Sequence, residues 1–241
     1  MYESSYVIVA GIAWIRRSRV ETSSGRVDDT AWVVTFDGDE PVARRSSEPG
    51  ALSLRRGFIG DLDWELDWVG LAPAFETPRP QLRRLSPNHM LTVPAILAGG
   101  RIGERTFEAA PGHTARLRGK RHTATWGWSH ASTADGSWVQ LLTASVPPVM
   151  RVSQHGRDGR PPRLPFARAS VDPPQVRVGP YVADAPAERF IGLRYLHTDG
   201  SPVWCYHSEQ GHLGGDGVDL HGAALEVATR EPIDGWRVEP S

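Results

Sequence analysis

The feature that most constrains the fold is a strict alternation at residues 61–68, which read Asp-Leu-Asp-Trp-Glu-Leu-Asp-Trp. At the period of two that a strand requires, the apolar side chains share one face and the acids share the other. Carboxylates spaced along one strand form a row and not a cage around a hard cation, so a solvated face is favoured over a metal site. The segment therefore predicts a strand that is buried on one side only.

Glycine and proline divide the rest of the chain into short segments. The 241 residues include 25 Gly and 20 Pro, and no sustained 3.6-residue apolar stripe is present. This composition is typical of many short strands joined by turns. We therefore expect an all-β, antiparallel protein that forms lipocalin-like barrels rather than a helical one.

The most proline-rich and basic segment, residues 147–174, is the natural connection between two halves. This divides the chain into an N-terminal β half at residues 1–146 and a C-terminal β half at residues 175–241. The first half is short for a complete eight-stranded barrel, which favours a reduced set of N-terminal strands. The sequence leaves the oligomeric state open.

Charge, apolar runs and cysteine content narrow the cellular setting. The formal net charge is −1, so no basic excess is available for binding nucleic acid. The apolar run from Tyr6 to Ile15 is too short to span a bilayer, and its arginines follow the run instead of preceding it as in a secretory signal. Cys205 is the single cysteine, which excludes an intrachain disulfide. We expect a cytoplasmic protein without a membrane span.

Residues 120–130 place two indoles and two imidazoles on one side of a strand. At period two, one face carries His122, Ala124, Trp126, Trp128 and His130, and small residues occupy much of the other face. One interpretation is a tryptophan-rich barrel core with histidines hydrogen-bonded at its rim. The other is the wall of a ligand pocket in which polar groups lie among aromatic rings. The sequence alone leaves both open.

The candidate catalytic residues are His130 and His122. The unperturbed imidazoles of His122, His130 and His207 titrate near pH 6.5, which suits proton transfer near neutrality, and Tyr195, Tyr206 and Glu209 are possible assistants. For each residue taken alone, a structural or surface role is the competing interpretation. The candidate ligand-binding residues are Trp126, Trp128, Trp64, Tyr206 and His207.

Other chemistries receive little support. Ser208 lies between His207 and Glu209, but neighbouring strand residues point to opposite faces, and no Gly-x-Ser-x-Gly elbow is present. A metal site of His207, His212 and His221, with or without His122 or His130, matches no zinc spacing, so scattered surface histidines are favoured and no metal is expected. The glycine-rich segment at residues 211–217 lacks the lysine and the following helix of a phosphate loop. No cofactor is predicted.

The order of these motifs resembles a known superfamily. The alternating run at residues 62–68, the Gly119–Ala131 segment with Trp126-Gly127 at its centre, and Asp199-Gly200-Ser201-Pro202 follow one another as in the lipocalin-like superfamily of carotenoid 1,2-hydratases (hydroxyneurosporene synthases) and AttH-like proteins. The resemblance covers roughly residues 60–210. It implies two lipocalin-like barrels packed together, and some members of the superfamily act as cyclases, including Diels–Alderases.

The resemblance also implies a function. We expect a hydrophobic small molecule (isoprenoid, polyketide or lipid-like) to bind in a barrel pocket lined by Trp and His and, as a hypothesis, to undergo hydration, isomerisation or cyclisation without a redox cofactor. The hydratase members carry acidic residues near this strand, whereas Arg121 to Ala131 contains none, which argues against hydration through a carbocation. The alternatives are a non-catalytic carrier of hydrophobic ligands and a structural β-barrel domain.

Overall fold

A computed structural model describes residues 1–36, 40–47, 52–77, 88–120, 125–146, 150–156 and 167–239. The chain is all-β, with 71% strand and 2% helix in two nearly closed antiparallel sheets. A short 3₁₀ turn covers Ala187–Arg189. The all-β prediction is therefore confirmed.

The first sheet is built from the N-terminal part of the chain. Its strands are β1 (Tyr2–Val9), β2 (Ala13–Glu21), β3 (Val27–Thr35), β4 (Val42–Ser46), β5 (Arg56–Ile59), β6 (Leu62–Gly70), β7 (Phe75–Thr77), β8 (Asn88–Ile102) and β9 (Arg105–Gly119). The strand order is β4-β3-β2-β1-β9-β8-β6-β5, and β7 pairs with β8. The alternating segment of the sequence forms β6, as predicted.

The second sheet follows the same antiparallel pattern. Its strands are β10 (Thr125–Ser132), β11 (Trp138–Val146), β12 (Met150–Gly156), β13 (Ala167–Val171), β14 (Pro174–Val178), β15 (Tyr181–Asp184), β16 (Ile191–Leu196), β17 (Pro202–Gly215) and β18 (Val218–Thr229). The strand order is β12-β11-β10-β18-β17-β15-β14-β13, and β16 pairs with β17. Each of the two sheets curls into a nearly closed barrel.

Two expectations about the halves differ from this topology. The first sheet has nine strands among the described residues, so the N-terminal half is not reduced. The chain passes from one sheet to the other between Gly119 and Thr125, ahead of the expected connection at residues 147–174. Strand β10 therefore lies in the second sheet, between β11 and β18. The boundary between the two sheets follows from strand pairing over long sequence separations, which the local proline content does not predict.

The apolar run at the N-terminus folds back on itself. Strands β1 and β2 are joined by a turn in which Gly11 has a φ of 65°, a left-handed conformation that favours glycine. Val9 pairs with Ala13 at the start of this hairpin. No helix in the described part of the chain is long and apolar enough to cross a membrane.

Three clusters of buried side chains organise the molecule. One fills the first barrel and includes Val7, Ile15, Val33, Trp64 and Ile96. A second fills the second barrel and includes Leu141, Val176, Tyr206, Leu213 and Leu225. A third, here called the inter-barrel layer, joins residues of both sheets and includes Tyr6, Trp14, Trp32, Trp128, Leu193, Tyr195 and Cys205. The barrels therefore pack side by side through an aromatic layer, and each barrel has its own filled interior.

The alternation along β10 determines which side chains enter this layer. Trp128 belongs to the inter-barrel layer and Trp126 packs against it, whereas Ala131 belongs to the interior of the second barrel. A Cβ added at Gly127 would lie 2.6 Å from the Ala169 Cβ, so that face of β10 is closely packed. Over the described residues of β10, Trp126 and Trp128 therefore lie on one face of the strand, as predicted. This face lines the contact between the barrels, and not the hollow of one barrel as expected.

The close packing at Gly127 gives a test of this arrangement. We expect Gly127→Ala to lower the free energy of unfolding by about 1–3 kcal/mol, because the added methyl group overpacks the second barrel. Urea denaturation of the purified protein measures the change.

Gly70→Ala is the matched control, because the nearest atom to a Cβ added at this exposed position is 3.4 Å away. Unchanged stability in Gly127→Ala would show that the second barrel has unfilled space beside β10.

Candidate active site between the barrels

A charged side chain from the first barrel crosses into the inter-barrel layer. Arg16 on β2 donates from Nε to Ser4 Oγ over 2.9 Å, and its Nη1 lies 3.5 Å from Glu226 Oε2 of the second barrel. The guanidinium also lies over the ring of Tyr195, 4.5 Å from the ring centroid. The Arg16 side chain is only 11% exposed. This arginine thus makes polar and cation–π contacts in a site that is largely shielded from solvent.

Glu226 on β18 is the carboxylate of this pair. It is the one charged residue in the apolar run Ala-Ala-Leu-Glu-Val-Ala at residues 223–228, and its side chain is 8% exposed. Trp126 Nε1 donates a hydrogen bond to Glu226 Oε1. Burial raises the pKa of Glu226, and the nearby Arg16 and the Trp126 hydrogen bond oppose this rise. The carboxyl group therefore binds a proton more readily than an exposed glutamate does.

His207 completes the group from the neighbouring strand. Its Cα is paired with that of Glu226 across β17 and β18, and its Nδ1 lies 3.2 Å from Glu226 Oε2 without the alignment of a hydrogen bond. Its ring meets Trp14 edge to face, with 4.2 Å between the centroids. Burial, and then the charge of Arg16, lower the pKa of His207 well below its ordinary value. We call Arg16, Trp126, Tyr195, His207 and Glu226 the Arg16–Glu226 cluster.

A small cavity opens beside this cluster. It is lined by Tyr2, Ser4, Arg16, Ser18, Val20, Trp126, Tyr195, Val203 and Cys205 and has a volume of about 10 Å³. That volume matches about one water molecule. The cavity is much smaller than the pockets that enclose drug-sized ligands, which are roughly 300–1,000 Å³.

The inter-barrel layer also contains polar atoms that find no hydrogen-bond partner among the described residues. They include the indole nitrogens of Trp14, Trp32 and Trp128, the Tyr195 hydroxyl, both ring nitrogens of His207, Nε2 of His113 and both carboxyl oxygens of Glu209. Each such buried group costs about 1–3 kcal/mol. The inter-barrel region is therefore more polar than the interior of either barrel.

Glu209 is a second buried acid in this region. Its side chain is fully buried on β17, and burial raises its pKa well above the ordinary value. The pKa of Tyr6 is raised mainly by burial, and the charge of Glu209 raises it further. A proton on Glu209 is therefore retained to a higher pH than on an exposed glutamate.

His130 lies in a different part of the same layer. Its Nε2 is 2.7 Å from the carbonyl oxygen of Pro94 in the first sheet, and its Nδ1 is 3.4 Å from Gln140 Oε1. The ring stacks on His113 with 3.8 Å between centroids. Burial lowers the pKa of His130 to about 4. A neutral ring that donates from Nε2 to Pro94 links the two barrels, which favours a structural role.

Burial lowers the pKa of both His130 and His207 below the ordinary imidazole value on which their suitability for proton transfer near neutrality was based. The catalytic role of His130 stays a prediction that its geometry does not favour. His122 lies outside the described residues, and its role also stays a prediction.

The predicted ligand-binding residues are distributed over three places. Trp126, Trp128 and His207 meet in or against the inter-barrel layer. Trp64 is in the first barrel, where its Nε1 donates to the Ser53 carbonyl over 3.0 Å. Tyr206 is in the second barrel, where its hydroxyl accepts from the Ile233 N–H over 2.7 Å. The fold thus separates Trp64 and Tyr206 from the other three.

Sequence reasoning missed Arg16 and Glu226. The available signal was a single charged residue inside an apolar strand at Glu226 and the first charge after the apolar N-terminal run at Arg16. Such charges are almost never fully buried unless they are paired. The pattern could have marked each residue, but it could not have shown that they meet.

Comparisons with known proteins agree with this architecture. No protein-family model matches the chain. Uncharacterised proteins from two strains of Mycobacterium tuberculosis are each 25% identical over 83% of this chain and 74% of their own length. A Nitrosomonas europaea protein assigned as AttH shares the fold with a TM-score of 0.56 and 12% identity, over 95% of this chain and 92% of that protein.

Kievitone hydratase from Nectria haematococca also shares the fold, with a TM-score of 0.52 and 9% identity over 95% of this chain and 88% of the hydratase. At these identities the likeness defines the fold alone. The chain therefore has the lipocalin-like two-barrel fold that the sequence resemblance predicted.

The buried histidine between the barrels predicts a pH-dependent stability. The pKa of His130 is about 4 in the folded protein, below the ordinary value of 6.5. The unfolded chain therefore binds more protons between these values, and stability is lost as the pH falls through this window. We expect His130 to account for about 2 kcal/mol of the stability lost between roughly pH 7 and pH 5.

Urea denaturation at these two pH values, on the wild type and on His130→Gln, measures this contribution. The variant is expected to lose less stability on acidification, and His89→Gln, at a partly exposed position on β8, is the control. An equal loss in His130→Gln and the wild type would contradict the assignment.

Proposed function

We propose that this protein is a small-molecule enzyme that uses acid–base chemistry at the Arg16–Glu226 cluster. The proposed reaction is hydration or isomerisation of a carbon–carbon double bond in an apolar substrate of isoprenoid, polyketide or lipid-like character. The observation that carries the proposal is Glu226, a buried carboxyl group with a raised pKa that contacts Arg16 and Trp126, two residues that line a water-sized cavity. No redox cofactor is required for either reaction.

The permanent positive charge of Arg16 favours a reaction intermediate that carries negative charge. A guanidinium remains protonated throughout the working pH range, and it stabilises negative charge that develops nearby. It would destabilise a carbocation by charge repulsion. We therefore propose a double bond conjugated to a carbonyl group, whose oxygen accepts a hydrogen bond from Arg16 as negative charge develops there.

The proposed hydration has two steps. Water attacks the carbon remote from the carbonyl and passes one proton to the Glu226 carboxylate, while the double-bond electrons move to the carbonyl oxygen facing Arg16. Glu226 then returns the proton to the carbon beside the carbonyl, so that one water molecule is added in total. The opposing effects of burial and Arg16 on the pKa of Glu226 suit a group that both takes and gives a proton.

Substrate entry requires a local rearrangement. The cavity has the volume of about one water molecule, and its lining includes the half-buried Trp126. We propose that the apolar substrate displaces the Trp126 indole and packs against the other aromatic rings that line the cavity. The fold shared with kievitone hydratase supports a small organic substrate, and kievitone is therefore one of the probes.

Oxygen-18 water provides a direct assay for the proposed reaction. Purified protein is incubated in ¹⁸O-labelled water with kievitone and a set of apolar α,β-unsaturated ketones, and mass spectrometry measures the product that has gained one labelled water molecule. We expect Glu226→Gln to lower incorporation by at least about 100-fold, because the amide cannot carry the proton.

Glu231→Gln, at an exposed position just beyond β18, is the matched control and is expected to keep the wild-type rate. Quenching of tryptophan fluorescence measures probe binding separately from turnover, and urea denaturation checks that Glu226→Gln is folded. Equal incorporation by Glu226→Gln and the wild type would contradict the assigned role.

A structural β-barrel domain is the second candidate. The packed interiors of both barrels favour it over a carrier whose ligand sits inside a barrel. In that case no probe is labelled by the wild type, and none quenches its tryptophan fluorescence.

A further inference from the structure

A group of metal-binding side chain types lies on the hairpin formed by β17 and β18. His212 and His221 are directly paired across the two strands, and Asp219 is paired with Gly214. Because Asp219 and His221 are two residues apart on one strand, all three side chains lie on the same face of the hairpin. The two imidazole rings are 5.0 Å apart between centroids.

The ligand atoms of these residues already lie close together. One atom from each of the three side chains lies within 4.8 Å of the others, and His212 Nε2 is 2.6 Å from Asp219 Oδ1. The His212 and Asp219 side chains are 43% and 78% exposed. An ion can therefore reach them from solvent. We propose that His212, Asp219 and His221 bind a divalent transition-metal ion of the zinc class.

The chemistry of the donors selects the class of ion. Two imidazole nitrogens and one carboxylate oxygen suit zinc, copper or nickel better than magnesium or calcium, which prefer oxygen donors. Zinc takes such donors at about 2.0–2.2 Å in a tetrahedral arrangement. Three protein ligands leave the fourth position to water. The site thus has the composition of an open zinc site.

The backbone of the hairpin leaves room for this arrangement. A Cβ added at Gly214 would lie 3.1 Å from Cε1 and 3.6 Å from Nε2 of His212, so a side chain there would crowd the imidazole. A register shift between Gly211 and His212 also interrupts regular pairing beside the site. The small rearrangement that brings the donors to bonding distance involves partly exposed side chains and leaves both barrel interiors unchanged.

The same contacts have a simpler explanation, which the experiment has to separate from metal binding. A hydrogen bond between His212 and Asp219 on the surface needs no ion. The three residues take no part in the Arg16–Glu226 cluster, so metal binding can be measured without any substrate. Its failure would therefore leave the proposed function untouched.

Isothermal titration calorimetry of the tag-free full chain with zinc chloride tests the proposal. We expect one ion per chain, and at least a ten-fold loss of affinity in His212→Ala, His221→Ala and Asp219→Asn. The matched controls are His89→Ala and Asp234→Asn, which are expected to bind zinc as the wild type does. Glu226→Gln is also expected to bind zinc normally.

Cobalt(II) chloride gives a second readout. Its visible absorption in the wild type is expected to show nitrogen and oxygen coordination, and the His212→Ala spectrum is expected to match that of free cobalt. Thermal unfolding should shift upward with added zinc in the wild type and not in His212→Ala, since an ion that binds only the folded chain stabilises it. Absence of binding by the wild type, or unchanged affinity in all three site variants, would overturn the proposal.

Discussion

The contact between the two barrels buries a charge pair to which each barrel contributes one member. Arg16 comes from the first sheet and Glu226 from the second, and both side chains are largely buried in the inter-barrel layer. Removing a charge from water costs several kcal/mol, which only a close opposite charge and further hydrogen bonds can offset. Ser4 and Trp126 supply those hydrogen bonds. Sliding one barrel past the other would separate this pair and also the contact of His130 with the Pro94 carbonyl, so both contacts restrict how the barrels dock.

The sequence predicted the strands better than it predicted what covers them. The alternation at residues 62–68 identified β6 and its buried face, and the turn before Trp138 identified the β10–β11 hairpin. Periodicity defines two faces of a strand and does not say which neighbour covers each face. In a single barrel the apolar face of β10 would point inward. Here the outer face is also covered, so Trp126 and Trp128 lie between the barrels while Gly127 faces the interior.

The candidate site was predicted only in part, for a related reason. Trp126 and His207 were identified by residue type, but Arg16 and Glu226 are 210 residues apart in sequence and meet only when the barrels dock. Residue type also placed Trp64 and Tyr206 with the site, although each fills a barrel interior. The histidine pKa values could not be predicted, because they depend on burial. Likewise, no spacing rule joins His212 to His221, whose proximity follows from cross-strand pairing.

In the proposed function the reaction takes place between the barrels, so the fold contributes the relative position of the two barrels and not a hollow inside one of them. A lipocalin-like barrel suggests a ligand in its hollow, but here the described residues of each barrel form a buried apolar cluster. Fold alone does not define function, so the proposed function rests on the buried polar groups. Those groups are drawn from both sheets, which means that the relative position of the barrels sets the geometry of any reaction. The proposed preference for substrates that become negative as they react follows from a fixed positive charge beside a carboxyl group of raised pKa.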